Sequence, residues 1–229
     1  MKAMILAAGR GQRMRPLTDH TPKPLLPVGG QPLIVWHLRR LAQAGISDVV
    51  INHAWLGKQI EQCLGSGERF GVQIQYSAET EALETAGGIA KALPLLGQEP
   101  FLVINGDIWC DWPLNMARTA QARMTEHSSD LAHLVLVNNP DHHRQGDFGL
   151  SAQGRLTNDA SARLTFAGIG VYRPELFAGL PVGQPAALGP LLRQTITRGA
   201  ASGQHHLGYW IDVGTPERLA VLSQHLSEA

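Results

Sequence analysis

The residues of this chain whose types and spacing could do chemistry lie in three places: a basic, glycine-bearing loop near the start and two separated aspartates. In Leu6-Ala7-Ala8-Gly9-Arg10-Gly11-Gln12-Arg13-Met14-Arg15-Pro16-Leu17-Thr18, two glycines follow an apolar run. A backbone without side chains can approach a ligand there and turn its N–H groups toward phosphate oxygens. Arg10, Arg13, Arg15 and Lys23 face a single acid, Asp19, a local excess of three positive charges in a chain of zero formal net charge. Asp107 follows the apolar run Phe101-Leu102-Val103-Ile104, in Asn105-Gly106-Asp107. In a parallel α/β sheet it would face the glycine loop across the crevice beyond the strand ends, a ligand position and not merely a turn. Asp212, in Trp210-Ile211-Asp212-Val213-Gly214-Thr215-Pro216, lies just upstream of a helix start and reads by itself as a capping carboxylate.

Several chemistries drop out. A dinucleotide fingerprint needs a third glycine where Met14 stands and a helix at once, but Pro16, Pro22, Pro24 and Pro27 keep the segment irregular. No Gly-Lys-Ser/Thr is present, which excludes a Walker-type loop. Zero net charge leaves no global field for nucleic acid or an anionic membrane. Cys63 and Cys110 have no metal-ligand spacing and read as thiols in a reducing compartment. The adjacent pairs His142-His143 and His205-His206 point to opposite faces of an extended chain, so surface or edge positions are expected. The first apolar run is too short for a secretory signal and ends in Gly9-Arg10-Gly11, and no stretch approaches the ~20 apolar residues of a membrane helix. A soluble, cytoplasmic protein is expected.

The elements that must position these residues alternate. Strands are expected at 2–7, 48–52, 72–76 and 101–105, with helices at 32–44, 56–64 and 85–93, the last capped by Thr85, and another beginning near Pro113. The second half is richer in strands (131–137, 148–151, 164–172 and 206–211), with helices at 187–198 and 216–226. At 229 residues and 44% hydrophobic composition, without a linker or repeat, this reads as one α/β domain. Its expected fold is a Rossmann-like, doubly wound, mostly parallel sheet with helices on both faces, with residues 1–112 and a strand-rich 113–229 as its two halves.

The loop, continued by Pro22-Lys23-Pro24-Leu25 and Pro27-Val28, resembles the signature of the sugar nucleotidyltransferases (nucleoside-diphosphate-sugar pyrophosphorylases) over residues 3–32. The resemblance implies a Mg²⁺-dependent joining of a nucleoside monophosphate to a sugar 1-phosphate, with release of pyrophosphate. It implies that residues 1–112 serve the nucleotide and 113–229 the sugar. It implies too that Ala7, Ala8, Gly9, Gly11 and Gln12 wrap the triphosphate, that Arg13 and Lys23 carry phosphate charge, and that Asp107 and Asp212 hold the ion. Those roles suit the chemistry, since phosphoryl transfer chiefly needs positioning and charge neutralisation.

Glu79 matches the family's base reader and Thr85 lies in its nucleoside segment, while Glu84 replaces a usual glycine, so backbone approach is expected to differ there. A carboxylate cannot donate to a uracil carbonyl, which leaves UTP against GTP open on the residues alone. Asp147-Phe148-Gly149 and Thr165-Phe166-Ala167-Gly168-Ile169 resemble the sugar-side segments, with Phe166 where asparagine is common. Asn105, Asp147, Gly149 and Gly168 are the expected sugar contacts. No hexapeptide repeat follows residue 100, unlike the bifunctional N-acetylglucosamine enzymes. Within the family, the Glu84–Gly88 loop and the Thr165–Phe177 run most resemble members that use UTP and N-acetylmuramate 1-phosphate in peptidoglycan recycling. Mannose- or heptose-1-phosphate guanylyltransfer, a silent sugar-nucleotide sensor and a dinucleotide oxidoreductase are the rivals.

Overall fold

In the computed structural model, which describes residues 1–126, 129–159 and 162–228, every long apolar run of the first half is a strand or helix. The chain begins with β1 (Ala3–Leu6), then a long loop ending in the hairpin β2 (Pro27–Val28) and β3 (Gln31–Pro32), and α1 (Leu33–Gln43). β4 (Asp48–His53), α2 (Gly57–Leu64), β5 (Gln73–Ala78), α3 (Glu84–Leu96), β6 (Phe101–Asn105), β7 (Ile108–Cys110) and α4 (Met116–Glu126) follow. The second half has β8 (Ala132–Val137), β9 (Phe148–Leu150), β10 (Leu156–Thr157), β11 (Arg163–Tyr172), α5 (Leu188–Thr197), β12 (Ala201–His205), β13 (Trp210–Asp212) and α6 (Pro216–Glu228).

β5, β4, β1 and β6 lie side by side and parallel, so the expected neighbours β1 and β6 do pair, with Leu6 opposite Asn105. Antiparallel pairing enters with β11, which lies between β6 and β8, while β12 joins β8 in parallel. Alternate side chains of β1 and β6 enter two cores, as a sheet covered on both faces requires. Ala3, Ile5, Leu102 and Ile104 meet α1, α2 and α4, whereas Met4, Phe101 and Val103 meet α3 and α5. A third, smaller core of Met14, Leu26, Val28, Leu33, Trp109, Val213 and Leu222 anchors the glycine loop and α6 to the β7–β13 ribbon.

Two local expectations change. The strand expected at 206–211 is shorter and later: only its end belongs to β13, which pairs antiparallel with β7 in a separate ribbon. The preceding β12 (Ala201–His205), which was not expected, joins the large sheet. Helix α3 starts at Glu84, with Leu83 at the cap position, so Thr85 lies inside the helix and does not cap it. Glu84 itself has φ 57°, the left-handed conformation that glycine adopts without cost, so the backbone keeps a glycine-type conformation although the residue is glutamate. The irregular loop also holds two 3₁₀ turns, Gln12–Met14 and Lys23–Leu25, and the β2–β3 hairpin is too short to leave a periodic signal.

His37, on α1 beneath the β7 ribbon, is fully buried; burial first, and then the Arg40 guanidinium, push it down from 6.5 to about 3. The unfolded chain takes up this proton below about pH 6.5, whereas the folded chain does so only near 3. Stability from this residue is therefore complete above that interval and falls as pH drops through it. In urea unfolding between about pH 7 and pH 4.5, His37→Leu is expected to flatten the acid loss by up to about 1.4 kcal/mol per pH unit. Parallel acid profiles for the two proteins would show that His37 does not contribute.

Candidate active site

The loop leaving β1 and the Asn105-Gly106-Asp107 turn leaving β6 start at the same sheet edge, and the Gly106 N–H donates to the Leu6 carbonyl at 2.8 Å. This is the carboxyl end of the parallel strands, where such sheets hold ligands. A cavity of about 470 Å³ opens there, lined by Ala7, Ala8, Gly9, Gly11, Gln12, Arg13, Lys23, Thr85, Asn105 and Asp107 among the expected site residues. Glu84 and Gly214 also line it.

The loop's shape follows from its residues. Gly11 has φ 67°, and a Cβ there would come within 3.0 Å of Thr18 and 3.2 Å of Lys23, so glycine alone suits the turn. Its carbonyl accepts the Met14 N–H at 2.9 Å and the Thr18 hydroxyl at 2.8 Å. Two of the four cations brace the loop: Arg15 pairs with Asp19 at 2.6 Å, and Arg10 lies 4.0 Å over the Trp55 ring. Arg13 is exposed and turned to the cavity. Lys23, only 7% exposed, brings its ammonium to 2.6 Å from Asp107.

The two aspartates, remote in sequence, meet through the ribbon. Asp212 of β13 lies opposite Ile108 of β7, and the Val213 N–H donates to the Asp107 carbonyl at 2.7 Å. Asp212 accepts from Arg218 Nη1 at 2.6 Å, and His142 Nε2, which is 2.7 Å from the same Nη1, lies 2.9 Å from the Asp212 carboxylate. Asp107, just before β7, and Asp212, at the end of β13, thus have adjoining backbones, and carboxylate oxygens are the donor type that a hard divalent cation takes. The protein's own cations neutralise both here.

Glu79 lies behind the cavity. One carboxylate oxygen accepts the Asn52 amide at 2.6 Å and the other the Leu83 N–H at 2.9 Å, and the residue is 6% exposed. Asn52 in turn accepts the Ala7 N–H at 2.9 Å, so this buried chain sets the start of the loop. Gly168, at φ 77° in a bulge of β11, abuts Asn105, where a Cβ would meet the amide nitrogen at 2.8 Å. Asp147 and Gly149 are at the β9–β11 end and do not line the cavity. Asp147 accepts the Phe166 N–H at 2.8 Å and pairs with His143 at 3.1 Å, which fixes β11 beside β9.

Reasoning from sequence missed Asn52, Arg218 and the contact of His142 with Asp212. A polar Asn closing the apolar run of β4 was a usable signal for the first; nothing local marks the other two. His205 and His206 bond to Asn138 and Asp111, at 2.9 and 2.5 Å. Ligand atoms of Cys110, Asp111 and His206 lie within 4.8 Å of one another, but burial pushes the Cys110 thiol up to about 11, which disfavours the thiolate a metal needs.

The fold thus brings a glycine-bearing loop, Arg13, Lys23 and Asp107 to one cavity at the carboxyl end of the parallel strands, with Asp212 on the adjoining ribbon. The chain belongs to the nucleotidyl transferase family, whose model matches residues 2–229. It is 56% identical, over 96% of its own length and 95% of the other's, to the N-acetylmuramate alpha-1-phosphate uridylyltransferase of Neisseria meningitidis. To the protein of that name from Caulobacter vibrioides it is 36% identical, over 99% of this chain and 97% of that one. A Bacillus anthracis protein whose crystal structure is described as that of a glucose-1-phosphate thymidylyltransferase shares the fold, with TM-score 0.86 at 24% identity, over 100% of this chain and 96% of that one. Among the described residues no helix is long and apolar enough to cross a membrane.

Proposed function

We propose that the protein transfers UMP from UTP to N-acetylmuramate 1-phosphate, giving UDP-N-acetylmuramate and pyrophosphate, with Mg²⁺ as cofactor, in cytoplasmic recycling of peptidoglycan. The observation that carries the substrate assignment is the 56% identity, nearly end to end, to a relative bearing that activity in its name. The observation that carries the chemistry is the convergence of Arg13, Lys23 and Asp107 on one cavity, with Asp212 on the adjoining strand.

An oxygen of the sugar phosphate attacks the α-phosphorus of UTP in line; that P–O bond forms as the α–β bridge breaks and pyrophosphate leaves. The nucleophile is already anionic at neutral pH, so no general base is required. The glycine loop presents backbone N–H groups to the triphosphate, and Arg13 offers its planar fork to oxygens that gain charge. Lys23 supplies a point charge at the α-phosphate end, next to Asp107. Mg²⁺ on Asp107 and Asp212 would offset charge on the α-phosphate and the leaving group. Glu79 acts on the base through the Asn52–Ala7 and Leu83 contacts that shape the pocket wall, consistent with its buried position. On the sugar side, Asn105 lines the cavity with Gly168 packed against it, and the Asp147–Gly149 segment lies beyond that wall, at the β9–β11 end.

A pyrophosphate-release assay crossing UTP, GTP, dTTP and CTP with the 1-phosphates of N-acetylmuramate, N-acetylglucosamine, mannose and glucose tests the reading. The highest kcat/KM is expected for UTP with N-acetylmuramate 1-phosphate. Turnover only with GTP and mannose 1-phosphate would replace the substrate pair and keep the class. Tight nucleotide-sugar binding without any turnover would leave a sensor instead.

A further inference from the structure

Two anionic substrates must share this cleft, yet among the described residues lining the cavity the cations are Arg13 and Lys23, both from the first loop. They serve the triphosphate. The sugar substrate brings its own 1-phosphate and, if it is the muramate proposed above, a lactyl carboxylate as well. The second half of the chain must neutralise that charge, and the cation it places at the rim is Arg218.

Arg218 occupies the first turn of α6, where its backbone N–H reaches the Thr215 hydroxyl at 3.4 Å. A cation there opposes the positive end of the helix and gains nothing from the helix itself. Its position is instead set by the cleft. Nη1 donates to Asp212 at 2.6 Å and approaches His142 Nε2 at 2.7 Å. Nη2 lies over Gly214, a lining residue of the cavity, so closely that a Cβ on Gly214 would collide with it. Among the described residues Nε and Nη2 make no hydrogen bond, although the side chain is only 18% exposed. A half-buried guanidinium with one edge pinned and the other edge open is preorganised for an anion. The helix N-terminus beside it adds to the same field.

We infer that Arg218 is the sugar-side anion anchor: its open edge receives an anionic oxygen of the sugar substrate, while Asp212 and His142 hold the guanidinium in place. This rests on the sugar-phosphate reading of the site, though not on which sugar it is.

The test uses Arg218→Gln and Arg218→Lys in the full-length protein, with Mn²⁺ binding and thermal unfolding as controls for the site and the fold. Arg218→Gln is expected to raise the KM for the sugar 1-phosphate by about 10- to 100-fold, with the KM for UTP changed less than about twofold. Calorimetric titration of the sugar 1-phosphate into protein carrying a non-reacting UTP analogue should weaken in parallel. Arg218→Lys should recover part of the loss, because charge is kept and the fork is not.

Comparing N-acetylmuramate and N-acetylglucosamine 1-phosphates separates the two sources. Equal losses place the phosphate on Arg218, and a loss confined to the muramate substrate places the carboxylate there. An unchanged sugar KM and sugar affinity, with weaker Mn²⁺ binding instead, overturns the inference and leaves Arg218 as a brace for Asp212. If the wild type accepts a different sugar 1-phosphate, the substrate reading fails but the same comparison on that substrate still decides the role of Arg218.

Discussion

Lys23→Met is expected to cut kcat for nucleotidyl transfer by about 10²- to 10³-fold and yet to strengthen divalent-cation binding in the absence of nucleotide. The first effect follows from losing a positive charge where phosphate charge develops; methionine keeps the buried stem, so packing changes little. The second follows from the 2.6 Å pair between Lys23 and Asp107. The ammonium occupies a carboxylate oxygen that the proposed metal ion would use. Removing it leaves Asp107, whose side chain is 43% exposed, without its competitor. Mn²⁺ titration followed by electron paramagnetic resonance reads this directly, and an affinity several-fold higher in the variant is the expected result. An unchanged or weaker affinity would show that the ammonium does not compete for the metal, whatever happens to turnover.

The second large effect concerns the paired aspartates. Asp107→Asn and Asp212→Asn should each lower kcat by about 10²- to 10³-fold, since each removes charge and keeps shape at a site that works by electrostatic neutralisation. The double variant is expected to be scarcely worse than either single one, because groups that hold one ion act as a unit. Some stability should be lost in each as well, since Lys23 (7% exposed) and the Arg218 side chain (18% exposed) are left without their carboxylate partners, so thermal unfolding is followed alongside the rates. The magnesium concentration for half-maximal rate would rise in both single variants. Multiplicative losses in the double variant, at unchanged magnesium requirement, would mean that the two carboxylates serve separate tasks.

These expectations rest on the two carboxylates being neighbours, and nothing local in the sequence could supply that. Asp107 was legible because a parallel sheet places the end of an apolar strand at the ligand crevice, and β1 and β6 do pair with Leu6 opposite Asn105. Asp212 was legible only by resemblance; its neighbourhood depends on β13 leaving the large sheet for β7. The strand reading over 206–211 blurred that point, because the turn joining β12 to β13 interrupts no hydrophobic period. Glu84 is a comparable case. Its identity suggested a different backbone approach to the nucleoside; its φ of 57° is a glycine-type value that no local pattern announced, at the junction of loop and helix.

The sequence by itself determined the alternation of strands and helices, the doubly wound sheet and the irregular glycine-bearing loop, because these follow from periodicity, proline placement and glycine spacing over short distances. Tertiary structure alone decided which charges meet: Lys23 on Asp107, Arg218 and His142 on Asp212, and Glu79 behind Asn52 instead of in the cavity. Local pattern controls which backbone forms, since each residue's conformation depends on its near neighbours. Charge pairing across the fold depends on where distant elements dock, and that is set by packing of the whole core.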